Sequence, residues 1–247
     1  MHPVLNVVLC HQDAQTVGAL LRHWRQIADN TCILIAHGGK RDDFAALTHP
    51  NKIFLDDPQL RTFDNQRERQ SYRQIWQRTL EWLRSCSNPF EFVYVAEYDH
   101  LPLLQDLNAR QMSFLEQERA DILAYHLQRI DGTSHPHYLY HARDPDFHRF
   151  FSKLSMRPDR RVILSMFGSG SFWKRDVFEA VAATQEPFPI YLELFLPTVA
   201  HHLGFRLRSY GHQNTYVRNL GDRTNEIESA RREGAWTLHP VKRLWTD

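Results

Sequence analysis

A chain of 247 residues, 42% of them hydrophobic, is long enough to bury a substantial core, and one large α/β domain is the expected outcome. Thirty lysines and arginines against 29 acidic residues give a net charge of +1, which argues against the broad basic field of a non-specific nucleic-acid binder, so no nucleic-acid partner is expected. Cys10, Cys32 and Cys86 are scattered with no Cys-x-x-Cys pair, which sets aside zinc and thiol-redox chemistry and suits small core residues in a reducing compartment.

Met1-His2-Pro3 runs straight into an apolar stretch without a basic segment, a long apolar core or a cleavage site, so a cytoplasmic protein is expected. No apolar run is long enough for a transmembrane segment. Val4 to Cys10 reads as a strand, followed by the polar turn His11-Gln12-Asp13. From Ala14 to Ile27 the residues Val17, Leu20, Leu21 and Trp24 recur at helical spacing, the pattern of a helix lying on a sheet. Thr31 to Ala36 and Asn51 to Leu55 are the next strands, so the chain opens as a βαβ unit. The Gly-x-Gly-x-x-Gly of dinucleotide sites does not follow the first strand. His37-Gly38-Gly39-Lys40 and Asp56-Asp57-Pro58 end the second and third strands, and in a parallel sheet all three turns open on one edge.

Gln66 to Arg84 reads as a helix with Tyr72, Ile75, Trp76, Leu80 and Leu83 along one stripe. Its arginines are interleaved with Glu68 and Glu81 and form a solvated face rather than a binding patch. The stretch from Phe90 is aromatic and β-branched, suited to a strand buried on both faces, and it ends abruptly in Glu97-Tyr98-Asp99-His100. Residues two apart on an extended chain point the same way, so Glu97 and Asp99 present two carboxylates side by side at the strand's carboxyl end. Neighbouring carboxylates repel unless a cation or hydrogen-bond donors separate them, and a hard divalent ion carrying a diphosphate meets that demand. A solvated acidic turn explains the same triplet.

Leu104 to Glu118 reads as a helix, and Asp121 to Leu127 as a strand beside the acidic one. From Asp131 to Arg161 the periodicity dissolves into a stretch dense in His, Arg, Asp and aromatics, read as a long loop facing an acceptor or as a surface insertion. Val162 to Phe167 is a further strand, followed by Gly168-Ser169-Gly170-Ser171 and a helix from Phe172 or Trp173 to Ala183. Glycines between a strand and a helix let backbone N–H groups approach an anion, and a plain tight turn needs them equally. Glu193 is a lone acid among apolar and aromatic neighbours, where partial burial raises its pKa toward that of a general base. A helical pattern through His202 stops at Gly204, and Phe205 to Tyr210 makes the last strand.

The apolar strand running into Glu97-Tyr98-Asp99 resembles the acidic metal-binding motif of GT-A fold glycosyltransferases, with Glu in place of the first Asp. That resemblance covers most of the chain and implies a Rossmann-like α/β sandwich with a mostly parallel central sheet flanked by helices. It implies one domain over 1–247, with a nucleotide-binding half over 1–130 and an acceptor-binding half over 131–247. It also implies a nucleotide-sugar donor, a carbohydrate or other hydroxyl acceptor, and Mn2+ or Mg2+ held by Glu97, Asp99 and a histidine returning from the tail, His239. Asp13 and Asp56 are then placed toward the base or ribose, Gly168, Ser169 and Gly170 beside the donor sugar or acceptor, and Lys242 beside the diphosphate. Glu193 corresponds to the base of inverting members. A nucleotidyltransferase on a related sheet is the rival enzyme, although His11-Gln12-Asp13 stands where its glycine- and arginine-rich loop is needed. A non-catalytic carbohydrate- or protein-binding domain is the rival of another class.

Overall fold

A computed structural model describes residues 3–27, 32–57, 68–185 and 188–243. Expectations touching Met1, His2, Thr31, Pro58, Gln66, Arg67 or Pro187 lie outside those residues. The chain begins with β1 (Val4–Cys10), α1 (Ala14–Ile27), β2 (Cys32–His37), α2 (Arg41–Ala46), β3 (Lys52–Phe54) and α3 (Glu68–Ser85). It continues through β4 (Phe92–Glu97), β5 (Leu101–Pro102), α4 (Leu107–Gln117), β6 (Ile122–Ala124), β7 (Gln128–Arg129), α5 (Pro136–Leu139), α6 (Pro145–Leu154) and β8 (Leu164–Ser165). β9 (Ser171–Lys174), α7 (Arg175–Ala183), α8 (Leu192–His202), β10 (Leu207–Ser209), α9 (Ile227–Arg232) and β11 (Thr237–Leu238) complete the order.

The main sheet runs β10-β6-β9-β4-β1-β2-β3. β4, β1, β2 and β3 are parallel, as are β6 and β10, and only β9 runs against its neighbours. The fold is therefore a mostly parallel α/β sheet flanked by helices, as the βαβ opening implies. Alternate residues of β1 serve opposite faces: Leu5, Val7 and Leu9 pack with α3, α6, α7 and α8, while Val4, Val8 and Cys10 pack with α1, α4 and α9. All seven residues of β1 are buried, which explains the nearly unbroken apolar run. The α1 stripe of Val17, Leu20, Leu21 and Trp24 is buried, and so are Ile75, Trp76, Leu80 and Leu83 of α3.

Four expectations are corrected. The residues from Ser171 to Lys174 form a strand, and the helix begins only at Arg175. Phe172 and Trp173 face opposite cores, Phe172 stacking on Phe92 and Trp173 meeting Trp76 edge-on, and this period-two burial of large aromatics favours strand over helix. Consequently β6 does not lie beside the acidic strand, because β9 is inserted between them. The 131–161 stretch is not a long irregular loop either. It holds α5 and α6; Asp144 caps α6 by accepting from the Asp146 and Phe147 amides, Pro145 opens it, and Phe147 and Phe151, one turn apart, anchor it in the core. The 162–167 segment contributes only the two-residue strand β8, paired with β7.

The parallel register gathers the ends of β1 to β4 on one edge. Tyr98 donates its amide to the Leu9 carbonyl, Gly38 to Cys10, and Leu55 to His37. That edge is where open parallel sheets place ligands.

Candidate active site

At that edge β4 ends on Glu97, and a tight turn closed by the His100 amide on the Glu97 carbonyl brings Asp99 to the same side. The carboxyl-terminal segment is zipped along this turn. β11 pairs antiparallel with β5, matching Leu238 to Leu101, and the Val241 amide bonds the Asp99 carbonyl at 2.8 Å. His239 is fixed from both sides through its own amide to Tyr216 and its carbonyl to the Arg218 amide.

Its imidazole Nδ1 lies 2.7 Å from the Arg218 carbonyl. A carbonyl only accepts, so Nδ1 carries a proton and Nε2 is the nitrogen turned to the acids. Nε2 lies 3.2 Å from Asp99 Oδ1 and 3.5 Å from Glu97 Oε2. Burial pulls the imidazole toward neutrality, but Asp99 and Glu97 outweigh it and raise the pKa to about 9. One ligand atom from each of Glu97, Asp99 and His239 falls within 4.8 Å of the others. Asp99 Oδ1 and His239 Nε2 are both buried without a hydrogen-bond partner. With its pKa raised, the imidazolium pairs with Asp99 in the metal-free protein, and a divalent cation bound among the same atoms would take the place of that proton. The donor set of two carboxylates and an imidazole fits such an ion.

Behind the cluster lies a buried polar network absent from the sequence reading. Ser169 Oγ accepts the Glu97 amide at 2.9 Å and lies 3.0 Å from His100 Nδ1. His100 Nε2 is 2.8 Å from Thr237 Oγ1, which is also 2.8 Å from the Tyr125 hydroxyl. Burial, with His239 beside it, holds His100 well below the ordinary imidazole range, so it is neutral and has one donor and one acceptor nitrogen for its two hydroxyl partners. Gly170 sits at φ +82°, and a Cβ there would run into the rings of His100 and Tyr125. The glycine is required by both backbone and space. The 168–171 turn thus organises the cluster from behind. It does not open directly into a helix N-terminus, because β9 follows it.

Glu193 occupies the first turn of α8 and accepts the Gly168 amide at 2.8 Å through Oε1. Its other oxygen lies 3.6 Å from His137 Nδ1, and the His137 ring lies 4.0 Å, centroid to centroid, from that of Tyr191. Burial raises the Glu193 pKa to about 7, against the lowering effect of the Gly168 amide and with a smaller upward push from Glu97. A carboxyl poised near neutrality can take a proton at physiological pH. His137, on α5, is a neighbour that dissolved periodicity concealed. His100 is one of five buried histidines among the described residues, with His37, His141, His202 and His239.

The remaining candidates are spread around the edge. Asp13 caps α1, accepting from the Thr16 amide at 2.9 Å and from its hydroxyl at 3.1 Å, and these bonds hold its carboxyl below its usual range. Asp56 is exposed and pairs with Arg41 at 2.6 Å. Lys242 is exposed just beyond His239, its amide bonded to Asp222. None of these three contacts the Glu97–Asp99–His239 cluster among the described residues. Nor does the 130/131 division separate two bodies, since β9 and β11 from the second half meet β4 and β5 from the first.

No protein-family model and no curated protein matches the sequence. Among solved structures, the chain is similar to a mannosyltransferase from Pyrobaculum calidifontis in complex with GDP-mannose and Mn2+. Identity there is 14%, the match covers 99% of this chain and 68% of the other, and the TM-score is 0.47. A glycosyltransferase involved in glycosylation of the major capsid of PBCV-1 matches at 13% identity, over 96% and 94% of the two chains, with a TM-score of 0.46. A CMP:2-keto-3-deoxy-manno-octonic acid synthetase complexed with CTP matches at 9% identity, over 84% and 88%, with a TM-score of 0.43. Among the described residues no helix is long and apolar enough to cross a membrane.

Proposed function

We propose that the protein is a metal-dependent glycosyltransferase that moves a sugar from a nucleoside-diphosphate donor to a hydroxyl acceptor. The observation that carries this reading is the convergence of Glu97, Asp99 and His239 on one small volume, with Asp99 Oδ1 and His239 Nε2 buried and facing each other at 3.2 Å. Mn2+ or Mg2+ is the expected ion, and imidazole in the donor set favours Mn2+. Bound there, the cation supplies electrostatic stabilisation to the diphosphate as it departs.

The chain's own residues supply the rest. Glu193, as carboxylate, takes the acceptor hydroxyl proton; the acceptor oxygen forms its bond to the anomeric carbon while the bond from that carbon to the phosphate oxygen breaks, leaving a nucleoside diphosphate. Attack opposite the leaving group inverts the anomeric centre. The Gly168–Gly170 turn, tied to both Glu97 and Glu193, sets the spacing between base and cluster. In this reading Lys242 balances diphosphate charge, and Asp13 and Asp56, beyond the ends of β1 and β3, meet the nucleoside. The 1–130 half holds the nucleotide and the 131–247 half the acceptor, with the carboxyl-terminal tail bringing His239 and Lys242 back to the metal and diphosphate.

The test is a thermal-shift panel of UDP, GDP, CDP and ADP, each with and without Mn2+, followed by product analysis with the matching nucleotide sugars. One nucleotide should raise the melting temperature only with metal, and Asp99→Asn should remove the effect. Formation of a nucleotide sugar from a triphosphate, with no transfer to a hydroxyl, would assign the site to nucleotidyl transfer instead. A flat response to every nucleotide would overturn the reading.

A further inference from the structure

A second concave site lies on the other arm of the chain. Between α6 and the segment leading into β8 is a cavity of about 320 Å³, walled by Arg149, Ser152, Arg160 and Arg161 over an apolar floor of Phe151 and Ile163. Ligand cavities run from roughly 300 to 1,000 Å³, so this one has room for a small charged group but not for a nucleotide sugar. None of its lining residues makes a hydrogen bond or ion pair with Glu97, Asp99, Glu193 or His239 among the described residues.

Charge compensation around the cavity is incomplete. Arg149 pairs with Asp146 at 3.0 Å, Asp159 is engaged at 3.0 Å by Arg129 and also accepts the Arg161 amide, and Asp131, which accepts the Ile163 amide, is itself paired with Arg129 at 2.7 Å. Arg160 and Arg161 have no carboxylate within ion-pair distance among the described residues. Guanidinium groups gathered at one concavity repel one another, and an anion seated between them converts that repulsion into attraction. Arginine presents paired N–H donors that match phosphate oxygens, the Ser152 hydroxyl adds a donor, and the buried Phe151 and Ile163 floor lowers the local dielectric.

We propose that the cavity between α6 and the 157–163 segment binds the phosphate of a phosphomonoester, through Arg149, Arg160, Arg161 and Ser152. The phosphate is that of a small soluble ester or of an exposed lipid head group, since both present the same oxygens. The site is independent of the transferase reading, because it shares no residue with the cluster.

The experiment measures binding of glycerol 3-phosphate by calorimetry in EDTA at fixed ionic strength, alongside co-sedimentation with phosphatidylcholine vesicles with and without phosphatidic acid. The variants are Arg160→Ala/Arg161→Ala, whose substituted side chains are exposed, and Asp99→Asn. Wild type and Asp99→Asn should bind the ester with equal affinity, and the double variant at least tenfold more weakly while keeping its Mn2+ affinity and circular dichroism. Sedimentation only with phosphatidic acid, competed by glycerol 3-phosphate, identifies a lipid source; ester binding without sedimentation identifies a soluble one. Absence of saturable binding to either probe, or equal binding by the double variant, would overturn the proposal.

Discussion

Loading of the cluster with metal should release a proton from His239, and this sets a pH dependence that can be worked out. In the metal-free protein the imidazole has a pKa of about 9, and Nδ1 is committed to the Arg218 carbonyl, so the proton to be lost is the one on Nε2. A metal ion must displace it, and the gap between pH 7 and that pKa costs about 2.7 kcal/mol, or roughly 100-fold in affinity. The apparent Mn2+ affinity should therefore rise about tenfold from pH 7 to pH 8 and level off near pH 9. Calorimetry at pH 7 in buffers of different ionisation enthalpy should count close to one proton released per ion. His239→Ala should bind more weakly and release none. Stability gives a second readout, with the sign fixed by the direction of the shift. The folded pKa of His239 lies above the unfolded value of 6.5, so its contribution to the metal-free fold is full below pH 6.5 and disappears as pH rises through about 9. The difference in melting temperature between Mn2+-loaded and metal-free protein should widen across that window. A Mn2+ affinity that changes less than about threefold between pH 7 and 8, with no proton released, would refute this reasoning.

Other residues of the site make further predictions. Glu193→Gln should lower kcat by about 100- to 10,000-fold while leaving Mn2+ affinity within about twofold, and it should abolish the acid limb expected near pH 7 in wild-type kcat/KM. Ser169→Ala strips the Glu97 amide and His100 of a buried partner; chemical denaturation should show a loss of about 1–3 kcal/mol, with weakened Mn2+ binding. Gly170→Ala combines a left-handed backbone with collision against two rings, and should cost about 3 kcal/mol by the same assay. Arg41→Ala removes a pair exposed on both sides and should change stability by less than about 1 kcal/mol, which the same denaturation curves would reveal.

The elements legible from sequence were those whose burial is periodic and local. α1 falls on the residues expected from Ala14 to Ile27, and β1 on Val4 to Cys10, because an amphipathic stripe or an unbroken apolar run decides them without reference to distant residues. Aromatic density misled at Phe172 and Trp173, where apolar residues flanked by Ser171 and the charged Lys174-Arg175 fit a helix start as well as a short strand. The decision comes from Phe92 and Trp76, on elements about 80 to 100 residues away, which receive the two rings on opposite faces. The 131–161 segment misled for the opposite reason. Its charge density hid the Phe147–Phe151 spacing, and the helix-starting Asp144-Pro145 was passed over.

The candidate site shows the same division, and the inserted strand explains it. Glu97 and Asp99 are legible as neighbours because both stand at the carboxyl end of an apolar strand, a local feature of the sequence. The support for Glu97 was not, because it depends on β9 running antiparallel between β4 and β6. With the helix expected from Phe172, the turn would point its amides at an anion. With β9 in place, Gly170 donates its amide to the Val95 carbonyl and Ser169 receives the Glu97 amide, so the turn is spent on holding β4. The same turn reaches Glu193 through the Gly168 amide, one residue from Ser169. A displacement at β9 would therefore move Glu97 and Glu193 together. Ser169→Ala should accordingly shift both Mn2+ affinity and the pH of half-maximal kcat/KM, whereas Glu193→Gln should lower kcat and remove the pH limb without shifting Mn2+ affinity.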